Sequence, residues 1–222
     1  MQEVRYRENH RHLVWLLLLV TAAALAQKFS TSLQYDRSLI LEGQYWRLLT
    51  CHFTHTGWQH LFLNFAGAVL VFALFFRLYS SWSWLLGTMC CMIGISLSLL
   101  VFNPHLVWYR GLSGLLHGLL MMGLIGRIGK GDRAYWIGVL ALIAKLAMEQ
   151  MAGPAGKTIQ LIHAPVITNA HLSGAVTGGM VACVLLLLST RATVSVGAIN
   201  LKAGLRVDCL SRWLRLGSNS LP

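Results

Sequence analysis

Acidic residues are nearly missing from this chain. Asp and Glu together number 7 of 222, and all charged residues make up only 11%. About a quarter of a soluble domain is charged. With a hydrophobic fraction of 56% and a mean hydropathy of +0.61, this scarcity excludes a water-soluble domain as the bulk of the chain. Carboxylates are almost absent from the apolar runs, and no H-E-x-x-H stands anywhere, which removes the commonest metalloprotease pattern. The five cysteines, at 51, 90, 91, 183 and 209, form no C-x-x-C pair, so neither a zinc site nor a disulfide frame is expected. Four of them sit in or beside apolar runs, where free Cys behaves as a small hydrophobe. There is no internal repeat.

Long apolar runs are abundant. A membrane span needs roughly 20 mostly apolar residues, and six segments qualify approximately: 12–29, 60–77, 83–102, 112–128, 134–152 and 170–190. The expected fold is an all-α membrane bundle of six transmembrane helices. It is organised as a cytoplasmic lead (1–11), one compact bundle domain (12–190) and a basic tail (191–222). Segment 12–29 is not read as a signal peptide, because it follows a charged lead and carries no convincing small-residue cleavage site. The net charge of +11 divides unevenly between alternate loops. Arg5, Arg7, Arg11, Arg77, Arg127, Lys130, Arg133, Arg191, Lys202, Arg206, Arg212 and Arg215 fall on one side; Lys28, Arg37, Arg47, Arg110, Lys145 and Lys157 fall on the other. By the positive-inside rule both termini are cytoplasmic. The basic surplus thus reports topology and contact with the lipid bilayer, not nucleic acid. Loop 30–59, with its aromatic and His residues, is expected to lie in the interface, and the Gly- and Pro-bearing loop 153–169 is expected not to be helical. "CLSRWLRLG" in the tail reads either as a short basic amphipathic helix on the inner leaflet or as a dispensable extension.

This topology brings chemistry to one side of the membrane. Ser113 starts the fourth span, His171 the sixth, and His60 and Asn64 the second, all at the outer end. Gly114 and Gly118 on one helix, and Ala170, Gly174 and Gly178 on another, form small-xxx-small stripes that let backbones approach closely in lipid. A close crossing there puts Ser113 within reach of His171. A serine needs an adjacent base to become nucleophilic, and the first N–H groups of its helix lack helical partners, so an oxyanion can be bound beside it. His117, one turn below Ser113, is a second possible base, although it lies about 6 Å deeper by helical rise. The bland alternatives are a serine bonded to its own helix and an Asn64 that bridges helices. His52, His55 and His163 read as interface residues rather than ligands. Met121, Met122, Met148 and Met151 read as core filler. Lys145 and Glu149, four apart, are placed to pair with each other or a neighbour.

The ordered set "YWRLLTCHFTH" (45–55), His60 and Asn64 in "HLFLN", "GLSG" (111–114) and "AHLSGAVTGG" (170–179) resembles the rhomboid intramembrane serine proteases over about residues 35–190. The resemblance implies a Ser113–His171 dyad without an acidic third member. It also implies oxyanion donors from His60, Asn64 and the Ser113 amide, a structural loop holding Trp46 and Arg47, and no metal or cofactor. Gly111 and Gly114 flank the serine. His117 takes the place of an aromatic that packs on the catalytic histidine, so His171 is assigned as base and His117 as its neighbour. "GLSGLLH", with His four residues after the serine, is similar to the rhombosortase sub-family. That implies a bacterial inner-membrane enzyme, opening to the periplasm, that cleaves C-terminal Gly-Gly sorting tags from membrane-anchored exported proteins. The rival readings are an inactive rhomboid-like scaffold that binds clients and a His-rich membrane haem or metal protein.

Overall fold

A computed structural model describes residues 2–154 and 156–203. The expected tail helix at 209–217 lies outside the described residues. Helix α1 (Gln2–Ala26) runs through a 3-10 turn into α2 (Ser30–Leu33). The lead expected ahead of the first span is therefore helical from Gln2 onward. It holds neither Gly nor Pro, so nothing in it stops helix propagation. A short β1 (Tyr35–Asp36) is followed by α3 (Arg37–Leu41) and α4 (Arg47–Thr50). Then come α5 (Trp58–Phe75), α6 (Ser81–Phe102), β2 (Trp108–Tyr109) and α7 (Ser113–Gly129). The chain continues with α8 (Tyr135–Ala152), α9 (Gly156–Ile162) and α10 (Thr168–Ala203).

Five segments, Leu16–Leu33, Trp58–Phe75, Ser81–Phe102, Tyr135–Ala152 and Thr168–Ser189, are long and apolar enough to cross a membrane. The remaining expected span, α7, has 17 residues. At 1.5 Å per residue it is about 26 Å long, short of a bilayer core of roughly 30 Å. Ten of its residues are buried, including Leu115, Met122 and Leu124, and it packs most extensively on α10. Around it the outer helices expose large apolar side chains such as Phe62, Leu70, Phe102 and Ile137. Such a surface suits lipid and not water. Met121 and Met122 belong to the core, but Met148 and Met151 face outward, contrary to their reading as core filler.

Two further expectations are corrected. Segment 153–169 contains α9, because Gly153 (φ +77°) with Pro154 at one end and His163 (φ +50°) at the other delimit a helical turn between them rather than abolish it. The all-α expectation omits a small ladder in which Tyr35 pairs with Tyr109 and Asp36 with Trp108 in antiparallel register. That ladder ties the loop after α2 to the loop before α7. Buried Arg47 strengthens the same region. Its Nε donates to Gln44 Oε1 (2.8 Å), and its guanidinium also donates to the carbonyls of Gln34 (2.9 Å) and Thr31 (3.3 Å). Neighbouring Trp46 is exposed.

The α7–α10 contact is backbone on backbone. A Cβ on Gly174 would run into the Gly114 carbonyl, and one on Gly178 into the Gly118 carbonyl. A Cβ on Gly114 would come within 2.8 Å of the Ala170 carbonyl oxygen. Adding even one methyl here forces the helices apart, and overpacking of this kind costs about 1–3 kcal/mol. Gly156, by contrast, has nothing within 4 Å of the added atom. Thermal unfolding in detergent should therefore show a lowered midpoint and lost activity for Gly178→Ala, and no loss for Gly156→Ala. Equal midpoints for the two variants would mean that the helices do not touch through Gly178.

Candidate active site

Ser113 is the first residue of α7. The preceding Leu112 supplies no side-chain cap, so the first N–H groups of the helix have no capping side chain. The approach to it is shaped by Gly111 at φ +135°, a conformation suited to glycine. Gly111 is held at both ends: its N–H donates to the Cys51 carbonyl (3.2 Å), and its carbonyl accepts from the Tyr109 hydroxyl (2.7 Å). A Cβ at Gly111 would sit 3.1 Å from His60 Nε2 and 3.9 Å from Ser113 Oγ, so this glycine keeps open the space between the two.

His171 lies in the first turn of α10, buried. The residues around it are pinned to α6: Asn169 donates to Asn103 Oδ1, and the Ser173 and Ser98 hydroxyls are 2.7 Å apart. With α10 so held, His171 Nε2 lies 2.9 Å from Ser113 Oγ. Its other nitrogen, Nδ1, lies 2.9 Å from Glu149 Oε2 on α8. The acid was not expected next to this histidine, and it defines the proton positions. An ionised carboxylate only accepts, so Nδ1 carries the proton and Nε2 is left to accept from the serine hydroxyl.

His117 has a different set of partners. Its Nδ1 donates to the Ser113 carbonyl (2.7 Å), and its Nε2 lies 2.6 Å from Lys145 Nζ, which donates to it. Neither nitrogen is bonded to the serine hydroxyl. The ring instead stacks on His171, with centroids 4.2 Å apart and planes 12° from parallel. Lys145 also donates to Glu149 Oε1 (2.8 Å).

His60 and Asn64, one turn apart at the start of α5, are both buried. Thr56 Oγ1 bonds His60 Nδ1 (3.1 Å), which leaves Nε2 toward Gly111. Asn64 Nδ2 is buried without a hydrogen-bond partner. A buried amide donor left unpaired is expensive, and such a group is suited to receive a negative charge.

Two histidines read as interface residues are instead buried walls of this region. His52 Nε2 lies 3.0 Å from the Met92 carbonyl and 3.1 Å from Ser96 Oγ. His55 stands edge-on to His60 with ring centroids 5.0 Å apart, and neither of its nitrogens is in hydrogen-bonding geometry. His163 is exposed, at a turn. Glu149 and Lys145 are the site neighbours that sequence reasoning left unassigned. Their signal was present: Glu149 is the sole acidic residue within the apolar spans and α7, and a lysine stands four residues before it.

Burial pushes the His52 imidazole down to about 4, and burial together with the His60 ring pushes His55 down to about 3. In the unfolded chain both titrate near 6.5. Below that value the unfolded state binds protons that the folded state refuses. Stability present above pH ~6.5 is therefore lost as pH falls toward 4. The thermal midpoint in detergent should drop across this window, and His55→Phe should flatten the drop. An unchanged slope in the variant would show that folded His55 titrates normally.

A rhomboid domain family model matches residues 42–189, which contain the whole cluster described above. A comparison with curated proteins finds no match.

Proposed function

The chain belongs to the rhomboid family of intramembrane serine proteases, and we propose that it is an endopeptidase with Ser113 as nucleophile and His171 as general base. The observation that carries this reading is the 2.9 Å contact from Ser113 Oγ to His171 Nε2, with the opposite ring nitrogen committed to a carboxylate. A lone membrane serine bonded to its own helix would not need that alignment.

Ser113 Oγ attacks the scissile carbonyl carbon as its proton passes to His171 Nε2, giving a tetrahedral oxyanion. The Ser113 amide, Asn64 Nδ2 and His60 Nε2 are its donors. The imidazolium then protonates the departing amine as the C–N bond breaks, and water hydrolyses the acyl-enzyme by the same route in reverse. His117 serves as a packing partner that keeps the His171 ring in plane, because both its nitrogens are spent elsewhere. Cleavage of a transmembrane reporter separates the histidines. His171→Ala should abolish turnover, while His117→Phe, which keeps a ring to stack, should retain a substantial part. A dead, folded His117→Phe alongside an active His171→Ala would reverse the assignment.

The proposed clients are exported proteins anchored by a C-terminal tag with Gly-Gly, an apolar span and a basic end. The proposed location is a bacterial inner membrane, with both termini cytoplasmic and the site opening to the periplasm. An extended peptide must reach Ser113, and a stable helix hides its carbonyls in internal hydrogen bonds. Gly costs a helix about 1 kcal/mol relative to Ala, so a Gly-Gly start unwinds readily. "GLSGLLH" supports this sub-family reading. Co-expression with tagged reporters tests it: a Gly-Gly tag should be cut faster than a Leu-Leu tag. Equal rates would remove the preference. No cleavage of the Gly-Gly tag, with good cleavage of an ordinary rhomboid substrate, would remove the sub-family reading.

A further inference from the structure

A carboxylate within a membrane-crossing helix is costly and calls for a reason. Glu149 on α8 spends both oxygens, Oε1 on Lys145 (2.8 Å) and Oε2 on His171 Nδ1 (2.9 Å). His117, Glu149 and His171 offer ligand atoms within 4.8 Å of one another, the residue types of a metal site. Yet the two imidazoles are stacked 12° from parallel, so their in-plane lone pairs do not converge on one point. The Lys145 ammonium, moreover, donates to His117 Nε2 (2.6 Å) and to Glu149 (2.8 Å), and it stands 3.3 Å from His171 Nδ1, where the Nδ1 proton shared with Glu149 makes the approach donor against donor and not a hydrogen bond. The cation of this cluster is the chain's own.

We propose that Glu149 and Lys145 are positioning residues that set the tautomer of His171 from α8. The carboxylate keeps the proton on Nδ1, so that Nε2 can take the proton of Ser113. Lys145 orients that carboxylate through its other oxygen and, by bonding His117 Nε2, fixes the ring stacked on His171. The assignment rests on the reading of Ser113 and His171 as nucleophile and base. It turns the pair implied by the family resemblance into a three-membered set whose acid, which takes no proton, comes from a different helix than either partner.

In Glu149→Gln the amide keeps the shape of the acid. Lys145 can only donate, so it draws the amide oxygen to itself and leaves the amide NH2 facing Nδ1. Nδ1 must then accept, the ring proton moves to Nε2, and Nε2 can no longer accept from Ser113. An amide in place of the triad carboxylate costs a soluble serine protease about 10⁴ in kcat for this reason. Removing Lys145 as well frees the amide to turn and present its oxygen to Nδ1–H.

The test uses full-length protein in proteoliposomes, a transmembrane reporter, and separate kcat and KM values. Glu149→Gln should lose about 10²-fold or more in kcat, with KM and the thermal midpoint close to wild type. Glu149→Gln with Lys145→Met should regain at least about tenfold of that loss. A merely structural ion pair gives no such recovery, because the second substitution removes still more of it. Wild-type kcat in Glu149→Gln, or a double variant no faster than the single, would overturn the positioning role. Ser113→Ala is run beside them: if it still cleaves, the failure lies in the nucleophile assignment and not in the positioning.

Discussion

The site depends on one contact, the meeting of α7 and α10 through bare backbone. Gly114 and Gly118 face Gly174 and Gly178 so closely that a single Cβ at either of the latter would enter a carbonyl of the facing helix. In lipid no hydrophobic drive pushes helices together, so close packing of small residues does that work. The consequence is chemical. Ser113 and His171 are 58 positions apart in sequence, yet each stands at the top of this crossing, and Ser113 Oγ lies 2.9 Å from His171 Nε2. A looser crossing would break a hydrogen bond that geometry must hold to a few tenths of an ångström.

The rest of the fold serves this contact by limiting how the helix tops move. The Tyr35–Tyr109 ladder and the buried Arg47 guanidinium lock the loop after α2 against the approach to Ser113. Asn169 and Ser173 anchor the first turn of α10 on α6. Polar groups in an apolar bundle are costly unless paired. Among the described residues, Asn64 Nδ2 and both nitrogens of His55 are buried without a hydrogen-bond partner.

Much of this was legible in the sequence because membranes make patterns blunt. Apolar runs located the long helices, the small-residue stripes marked the α7–α10 crossing, and the alternation of helix direction brought Ser113, His171, His60 and Asn64 to one end. What stayed hidden depended on lateral arrangement. No periodicity reveals that α8 turns Glu149 toward His171 and not toward lipid, since the Lys145–Glu149 spacing is satisfied equally by a self-contained pair. His52 and His55 looked like interface residues because loop composition does not disclose that a segment folds inward under a two-residue ladder. Gly and Pro in 153–169 read as helix breakers, yet they act as the boundaries of the helix at Gly156–Ile162. Met148 and Met151 face outward, since in a membrane an apolar side chain is as well accommodated outside as inside.

The central claim is that Ser113 is a nucleophile activated by the imidazole beside it. The most direct measurement is to treat purified protein in detergent with a fluorophosphonate and locate the covalent adduct by tandem mass spectrometry. The account predicts a single phosphonylated residue, Ser113, formed on native protein and absent after unfolding. An adduct on another serine, or none on a preparation that cleaves its substrate, would contradict it.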